Sequence, residues 1–223
     1  MKVDIFNTDR KYKTIYLDPP WEEKGGGKIK RGCDRHYPTM KIQEIAALPI
    51  KELADSNGCH LYMWVTNNFL EKGLSLLKEW GFTYITLITW QKDRMGLGQY
   101  FRGLTEHCIF ASTKKRLPYK VLDGKRAQGV TGFYKPKTIH SRKPVEMRRM
   151  IERVSYEPRI ELFARQTDPG WDVWGNEVTC SISLGCRMSP QPANRAVMSG
   201  QVGPQLAASQ GRNLWPAALG NWG

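Results

Sequence analysis

The stretch of this chain best suited to chemistry is Asp18-Pro19-Pro20-Trp21, which directly follows the apolar run Thr14-Ile15-Tyr16-Leu17. Neither proline nitrogen can donate a hydrogen bond, so a strand ending here continues neither as helix nor as central strand. Each proline fixes its own φ and bars its predecessor from the helical region, which holds Asp18 and Pro19 in a narrow extended geometry. Two acceptors, the Asp18 carboxylate and the Pro19 carbonyl, are thereby kept still, and Trp21 offers a flat face beside them. A planar ring bearing an NH2 group fits such a site: the two acceptors take its N–H bonds and the indole takes the ring. Read alone, Pro19-Pro20 is equally an ordinary break between strand and loop. The rest of the chain has to supply a site for a second reactant and a surface for whatever carries the ring.

The elements that must position these residues alternate. Thr14 to Leu17 reads as a short buried strand, and ligand sites in open α/β sheets lie at strand carboxyl ends, where Asp18 falls. A helix is expected from Ile42 to Leu48, limited by Pro49, then a strand from His60 to Val65. Phe69 to Trp80 repeats Leu70, Leu74 and Leu77 on one face, with Asn67 as its cap and Gly81 as its stop. Strands follow at Tyr84 to Trp90 and His107 to Ala111, separated by the polar loop Lys92 to Leu104. Lys143-Pro144 opens another helix with Met147, Met150, Ile151 and Val154 on one face, and Arg159 to Ala164 is a further strand. This order predicts an α/β fold, a mostly parallel twisted sheet with helices on both faces. After Val178 the chain contains no acids, few aliphatics and no helix or strand period. Residues 1–178 are therefore expected to form the folded domain and 179–223 a disordered, low-complexity tail.

Composition narrows the class. The 223 residues are 40% hydrophobic and 25% charged, no run approaches a membrane span, and Met1 to Arg10 lacks an apolar signal core, so a cytoplasmic location is expected. Five scattered cysteines without a Cys-x-x-Cys pair indicate neither a disulfide framework nor a structural metal site. The net charge of +13 is segregated: Lys114 to Lys143 holds ten bases against Asp123, and Lys24 to Arg35 holds five against Asp34. Such a field suits a phosphate backbone, and the plain alternative is a solubilising face. Lys28, Lys30, Arg31, Lys114, Lys115 and Arg116 are the candidate phosphate contacts. The Gly25-Gly26-Gly27-Lys28 stretch is no phosphate-binding P-loop, because Ile29 stands where Ser or Thr is required; it is either a solvated loop or a basic cover over a groove.

Seven further blocks carry a resemblance: His36-Tyr37-Pro38-Thr39-Met40, Leu61-Tyr62-Met63-Trp64-Val65-Thr66, Trp90-Gln91-Lys92, Glu106-His107-Cys108, His140-Ser141-Arg142-Lys143-Pro144, Glu161-Leu162-Phe163-Ala164-Arg165 and Trp171 to Glu177. With the tetrapeptide, in this order, they resemble the DPPW-type adenine-N6 methyltransferases, the family founded on the catalytic subunit of the eukaryotic mRNA adenosine methyltransferase, and most of all its small bacterial and phage members. The resemblance implies a Rossmann-like methyltransferase fold with S-adenosylmethionine as donor and the catalytic strand ahead of the cofactor strand. It implies Asp18, Pro19, Pro20 and Trp21 as catalytic residues. Lys143, Glu161, Phe163, Arg165, Asn176 and Glu177 would bind the cofactor, and Tyr37, Trp64 and Glu106 the substrate. The implied reaction is methylation of adenine in DNA; the alternatives are the same reaction on RNA and a non-catalytic nucleic-acid-binding relative. A homodimer or a second subunit stays open. The segment Met1 to Lys11 is shorter than in the longer members, and the tail lies outside the pattern.

Overall fold

The computed structural model describes residues 1–22, 39–96, 100–137 and 143–175. The expectations for Lys28, Lys30, Arg31, Tyr37, Asn176, Glu177 and the 179–223 tail lie outside the described residues. Within them the run Thr14–Leu17 forms strand β1, with all four residues buried. Helices α1 (Ile42–Ala46) and α2 (Ile50–Leu53) follow, then β2 (His60–Val65), a 3-10 turn (Asn67–Phe69), α3 (Leu70–Glu79), β3 (Phe82–Gln91) and β4 (Thr105–Thr113). A small hairpin, β5 (Val121–Leu122) and β6 (Lys125–Arg126), precedes β7 (Gly132–Tyr134), α4 (Val145–Val154), β8 (Arg159–Leu162) and β9 (Asp172–Trp174).

Seven strands make one sheet in the order β7-β3-β4-β2-β1-β8-β9. All run one way except β4, which is antiparallel to both β2 and β3. The side-chain period of two sorts the central strands onto two faces. Ile15, Leu17, Leu61, Met63, Val65, Ile109, Ile160 and Leu162 share an aliphatic core with Ile45 of α1 and Leu76 and Leu77 of α3. Tyr16, Tyr62, Trp64 and Cys108 point the other way and pack with Met147 and Ile151 of α4. Helices thus cover both faces, as the alternation of elements predicts. No helix of the described residues is long and apolar enough to cross a membrane.

Local details differ where tertiary contacts overrule local signals. Asn67 does not cap α3; its Oδ1 lies 2.6 Å from His107 Nε2, joining the end of β2 to the start of β4. Pro49 does not merely end α1 but stands at the N-cap of α2, a helix too short to show a period. Gly81 does terminate α3, at φ +78°, where a side chain would be strained. The short strands β5, β6, β7 and β9 are missing from the sequence reading for want of a usable alternation.

The chain winds outward from β1 in two directions, through β2, β4 and β3 on one side and, much later, through β8 and β9 on the other. The loops leaving β1 and β8 therefore diverge, and open α/β sheets bind ligands in the crevice so formed. Asp18 leaves one wall of this switch point and Phe163 the other. Helix α3 lies close enough to the sheet that a Cβ built on Gly73 would fall 2.8 Å from Val65 Cγ1 and 2.9 Å from Ile109 Cδ1. We expect Gly73→Ala to destabilise the protein by about 1–3 kcal/mol through overpacking, despite alanine's better helix propensity. A gain of stability in urea denaturation would refute this packing.

Candidate active site

Three pieces of backbone meet at the carboxyl edge of the sheet. β1 ends in Asp18. β4 is antiparallel, so its first residues, not its last, reach this edge, and Glu106 pairs there with Trp90 of β3. Lys143 lies just ahead of α4, whose N-cap is Pro144. The Lys143 ammonium sits 2.9 Å from Asp18 Oδ2 and 3.2 Å from Glu106 Oε2, and Lys92, one residue past β3, holds the other Glu106 oxygen at 3.1 Å. Two cations and two carboxylates thus form one neutral, mostly buried chain.

The two carboxyls are not equivalent. Burial pushes Glu106 up, but Lys143 and Lys92 together outweigh it and hold its pKa below the ordinary value of 4.5. Asp18 shares a single ammonium with Glu106. Burial therefore wins, and its pKa is raised although Lys143 and, more weakly, the Arg165 charge pull the other way. Burial works against the Lys143 ammonium, yet the two acids reverse this and raise its pKa. Of the two carboxyls joined by Lys143, Asp18 therefore holds a proton more readily than Glu106.

Aromatic side chains form the floor. Lys143 Nζ stands 5.3 Å above the Trp64 ring, a cation–π contact. The Trp64 indole donates to Tyr16 Oη at 2.6 Å, and its ring meets Trp90 edge to face. Trp64, expected to contact the substrate, is 1% exposed here and supports Lys143 from below. Trp21 is packed in a similar way. Its indole stacks on Phe69 at 5.1 Å, donates to the Trp64 carbonyl at 3.1 Å and is 8% exposed. The flat face expected beside the acceptors is spent inside the protein, where it clamps the turn. Further clamps are the Trp21 N–H on the Pro19 carbonyl (2.9 Å) and the Met40 N–H on the Pro20 carbonyl (2.8 Å). A carbonyl oxygen has two lone pairs, so Pro19 retains one acceptor position.

Across the crevice, Glu161 of β8 is tied to Arg148 of α4, which also binds Asp168 and lies over Trp171. Burial raises the Glu161 pKa against the pull of Arg148, with the Asp18 charge adding to the rise. Phe163 follows β8 with φ +62°, left-handed backbone that a bulky residue adopts only where its surroundings hold it. The next residue, Ala164, packs so closely on Gly175 that a Cβ there would fall 2.3 Å from the Ala164 carbonyl oxygen. Lys143, Arg165, Glu161 and Phe163 thus gather around the switch point. Two cations and a carboxylate there suit a ligand that carries both a carboxylate and hydroxyl or amino groups.

The basic Lys114 to Lys143 stretch is less uniform than its count suggests. Lys114 and Arg116 are exposed, and Lys115 donates to Asn57 Oδ1. Lys120 caps carbonyls of α4, Lys135 pairs with Glu146, and Lys143 is buried in the cluster. Sequence reasoning nominated neither Lys92 nor Arg148. The available signals were a lysine directly after a buried strand and a buried strand glutamate in need of a cation on the neighbouring helix.

The MT-A70 family matches residues 12–177. The chain is 30% identical over 191 residues to the Type II methyltransferase M.MunI of Mycoplasma sp, covering 76% of this chain and 78% of that protein. It is 28% identical over 199 residues to the human N(6)-adenine-specific methyltransferase METTL4, and 30% identical over 179 residues to the human N(6)-adenosine-methyltransferase catalytic subunit METTL3. The chain spans only 39% and 28% of the lengths of these two.

Replacing Lys92 by methionine leaves Glu106 with one cation. We expect a loss of stability of up to about 3 kcal/mol at neutral pH, since Lys143 remains. A carboxyl whose folded pKa is depressed stabilises above its unfolded value of 4.5 and stops doing so as pH falls through the folded value. The deficit of Lys92→Met should therefore shrink below about pH 4. Urea denaturation of both proteins across this range checks it, and a deficit independent of pH would contradict the assignment.

Proposed function

Because the chain belongs to the MT-A70 family, we infer that it transfers a methyl group to the exocyclic amine of adenine in DNA, with S-adenosylmethionine as donor. The observation that carries this reading is the geometry at Asp18, a carboxylate locked at a strand end beside the Pro19 carbonyl and held on one oxygen by Lys143. Asp18 Oδ1 and the open lone pair of Pro19 are the acceptors for the two N–H bonds of the amine. By accepting both, they draw the nitrogen toward tetrahedral geometry and turn its lone pair toward the crevice. As positive charge develops on the nitrogen, the Asp18 carboxylate stabilises it. The raised pKa equips the same group to take up the proton the product must lose.

S-adenosylmethionine supplies a methyl group on a sulfonium, already electrophilic, so no covalent enzyme intermediate is needed. Lys143 has three N–H donors and spends two on Asp18 and Glu106. The third, with Arg165, suits the methionine carboxylate. Glu161, Phe163, Asn176 and Glu177 complete the cofactor set we propose, and the folded domain we propose ends close to where the family match ends.

DNA is favoured over RNA because a relative covered over most of its own length, M.MunI, is a Type II methyltransferase. The similarity to METTL3, named for adenosine, supports the RNA alternative. We expect Asp18→Asn, which keeps the shape but not the charge, to lower transfer of labelled methyl groups to unmethylated DNA by about 100-fold or more. Equal incorporation by both proteins sinks the mechanism, and faster transfer to RNA than to DNA in a parallel assay replaces the substrate.

A further inference from the structure

The described residues of the loop between β3 and β4 are pinned to one another and to the sheet, and we call them a finger. Past the last strand pairs, the Lys92 N–H donates to the Leu104 carbonyl at 2.9 Å and the Gly96 N–H to the Gly103 carbonyl at 2.7 Å. Arg102 Nε donates to the Gly96 carbonyl at 3.0 Å. From outside, the Lys137 N–H binds Asp93 Oδ1 at 2.7 Å and braces the root. The finger thus leaves the sheet from Lys92 and ends just before Glu106, two members of the chain of charges that reaches Asp18.

At its far end stand Tyr100 and Phe101, 93% and 91% exposed, the two most exposed large apolar side chains among the described residues. Met95 adds 59% exposure, and the Arg94 and Arg102 side chains flank the group. Two adjacent aromatic rings held wholly in water gain nothing for the fold, and the flanking charge is positive. Aromatic rings with guanidinium groups stack on bases and meet phosphates.

We propose that Tyr100 and Phe101 form a wedge that enters duplex DNA beside the target adenine and fills the gap left when that base turns out toward Asp18. The inference rests on the DNA reading of the preceding section. Everting a base breaks its pair and its stacking on both neighbours, and apolar side chains inserted between base steps offset that cost. The finger is rooted at the sheet edge that carries Asp18, so a duplex gripped there presents its stack to the tip. A single strand has no stack to restore, and the wedge contributes little to it.

The test compares the full-length protein with Tyr100→Ala/Phe101→Ala on one unmethylated DNA, supplied as intact duplex and as separated strands. The double variant should lower the duplex-to-single-strand ratio of methyl transfer rates by about tenfold or more, whereas Phe101→Trp should keep it. Because both side chains are exposed, thermal unfolding should be unchanged. A ratio unaltered in the double variant overturns the wedge while leaving the adenine reading intact. Equal losses on both forms likewise overturn it, assigning the finger to general binding. Wild-type protein inactive on either DNA form defeats the underlying DNA reading itself. A change in sedimentation coefficient with an unaltered ratio would assign the finger to contact with a second copy.

Discussion

One ammonium group holds this site together. Lys143 lies between Asp18 and Glu106, 2.9 Å from one carboxylate and 3.2 Å from the other. Two carboxylates brought this close in a poorly hydrated place would repel each other and protonate, and a lone buried lysine would lose its proton. Held together they stabilise one another's charges, and Lys92 balances the set. The requirement is geometric as well as electrostatic, because the three side chains arrive from β1, from β4 and from the segment ahead of α4.

That requirement explains a topology which would otherwise look irregular. A wholly parallel sheet would put the start of β4 at the opposite edge, far from Asp18. Running β4 backwards brings Glu106 to the carboxyl edge, and the same reversal makes β3 and β4 an antiparallel pair whose connection leaves the sheet at that edge. The aromatic side of the sheet serves the same end. Trp64 carries Lys143 on its face, its carbonyl holds Trp21, and Trp21 in turn fixes the turn that presents Asp18 and Pro19. The tetrapeptide is thus rigid for two reasons: its prolines restrict the backbone, and its tryptophan is packed into the core.

On the other side of the switch point the design differs. Glu161 is bound to Arg148, Phe163 has left-handed backbone, and Gly175 lies tightly against the Ala164 backbone. One wall of the crevice carries Asp18 beside the Pro19 carbonyl, while the other carries the left-handed backbone of Phe163 and the Glu161–Arg148 pair. Such a division suits a reaction in which one wall orients an acceptor and the other a donor, with no covalent bond to the enzyme.

Much of this was legible in the chain itself. The alternation of apolar runs sets the order of strands and helices, because burial on both faces of a parallel sheet demands it. Asp18-Pro19-Pro20 dictates a rigid strand end through steric restrictions that act within three residues. The ordered blocks from Asp18 to Glu177 fall within the family match over residues 12–177. Local rules reach no further than neighbours in sequence. Whether Trp21 faces a ligand or the core, whether Lys143 meets Asp18, and which cation satisfies Glu161 depend on residues from 13 to more than a hundred positions apart. The antiparallel course of β4 belongs with these, since a strand's direction leaves no mark in its own composition. The residues able to do the chemistry could therefore be named from sequence, whereas their pairing, and with it the unequal proton affinities of Asp18 and Glu106, came into being only when the sheet assembled.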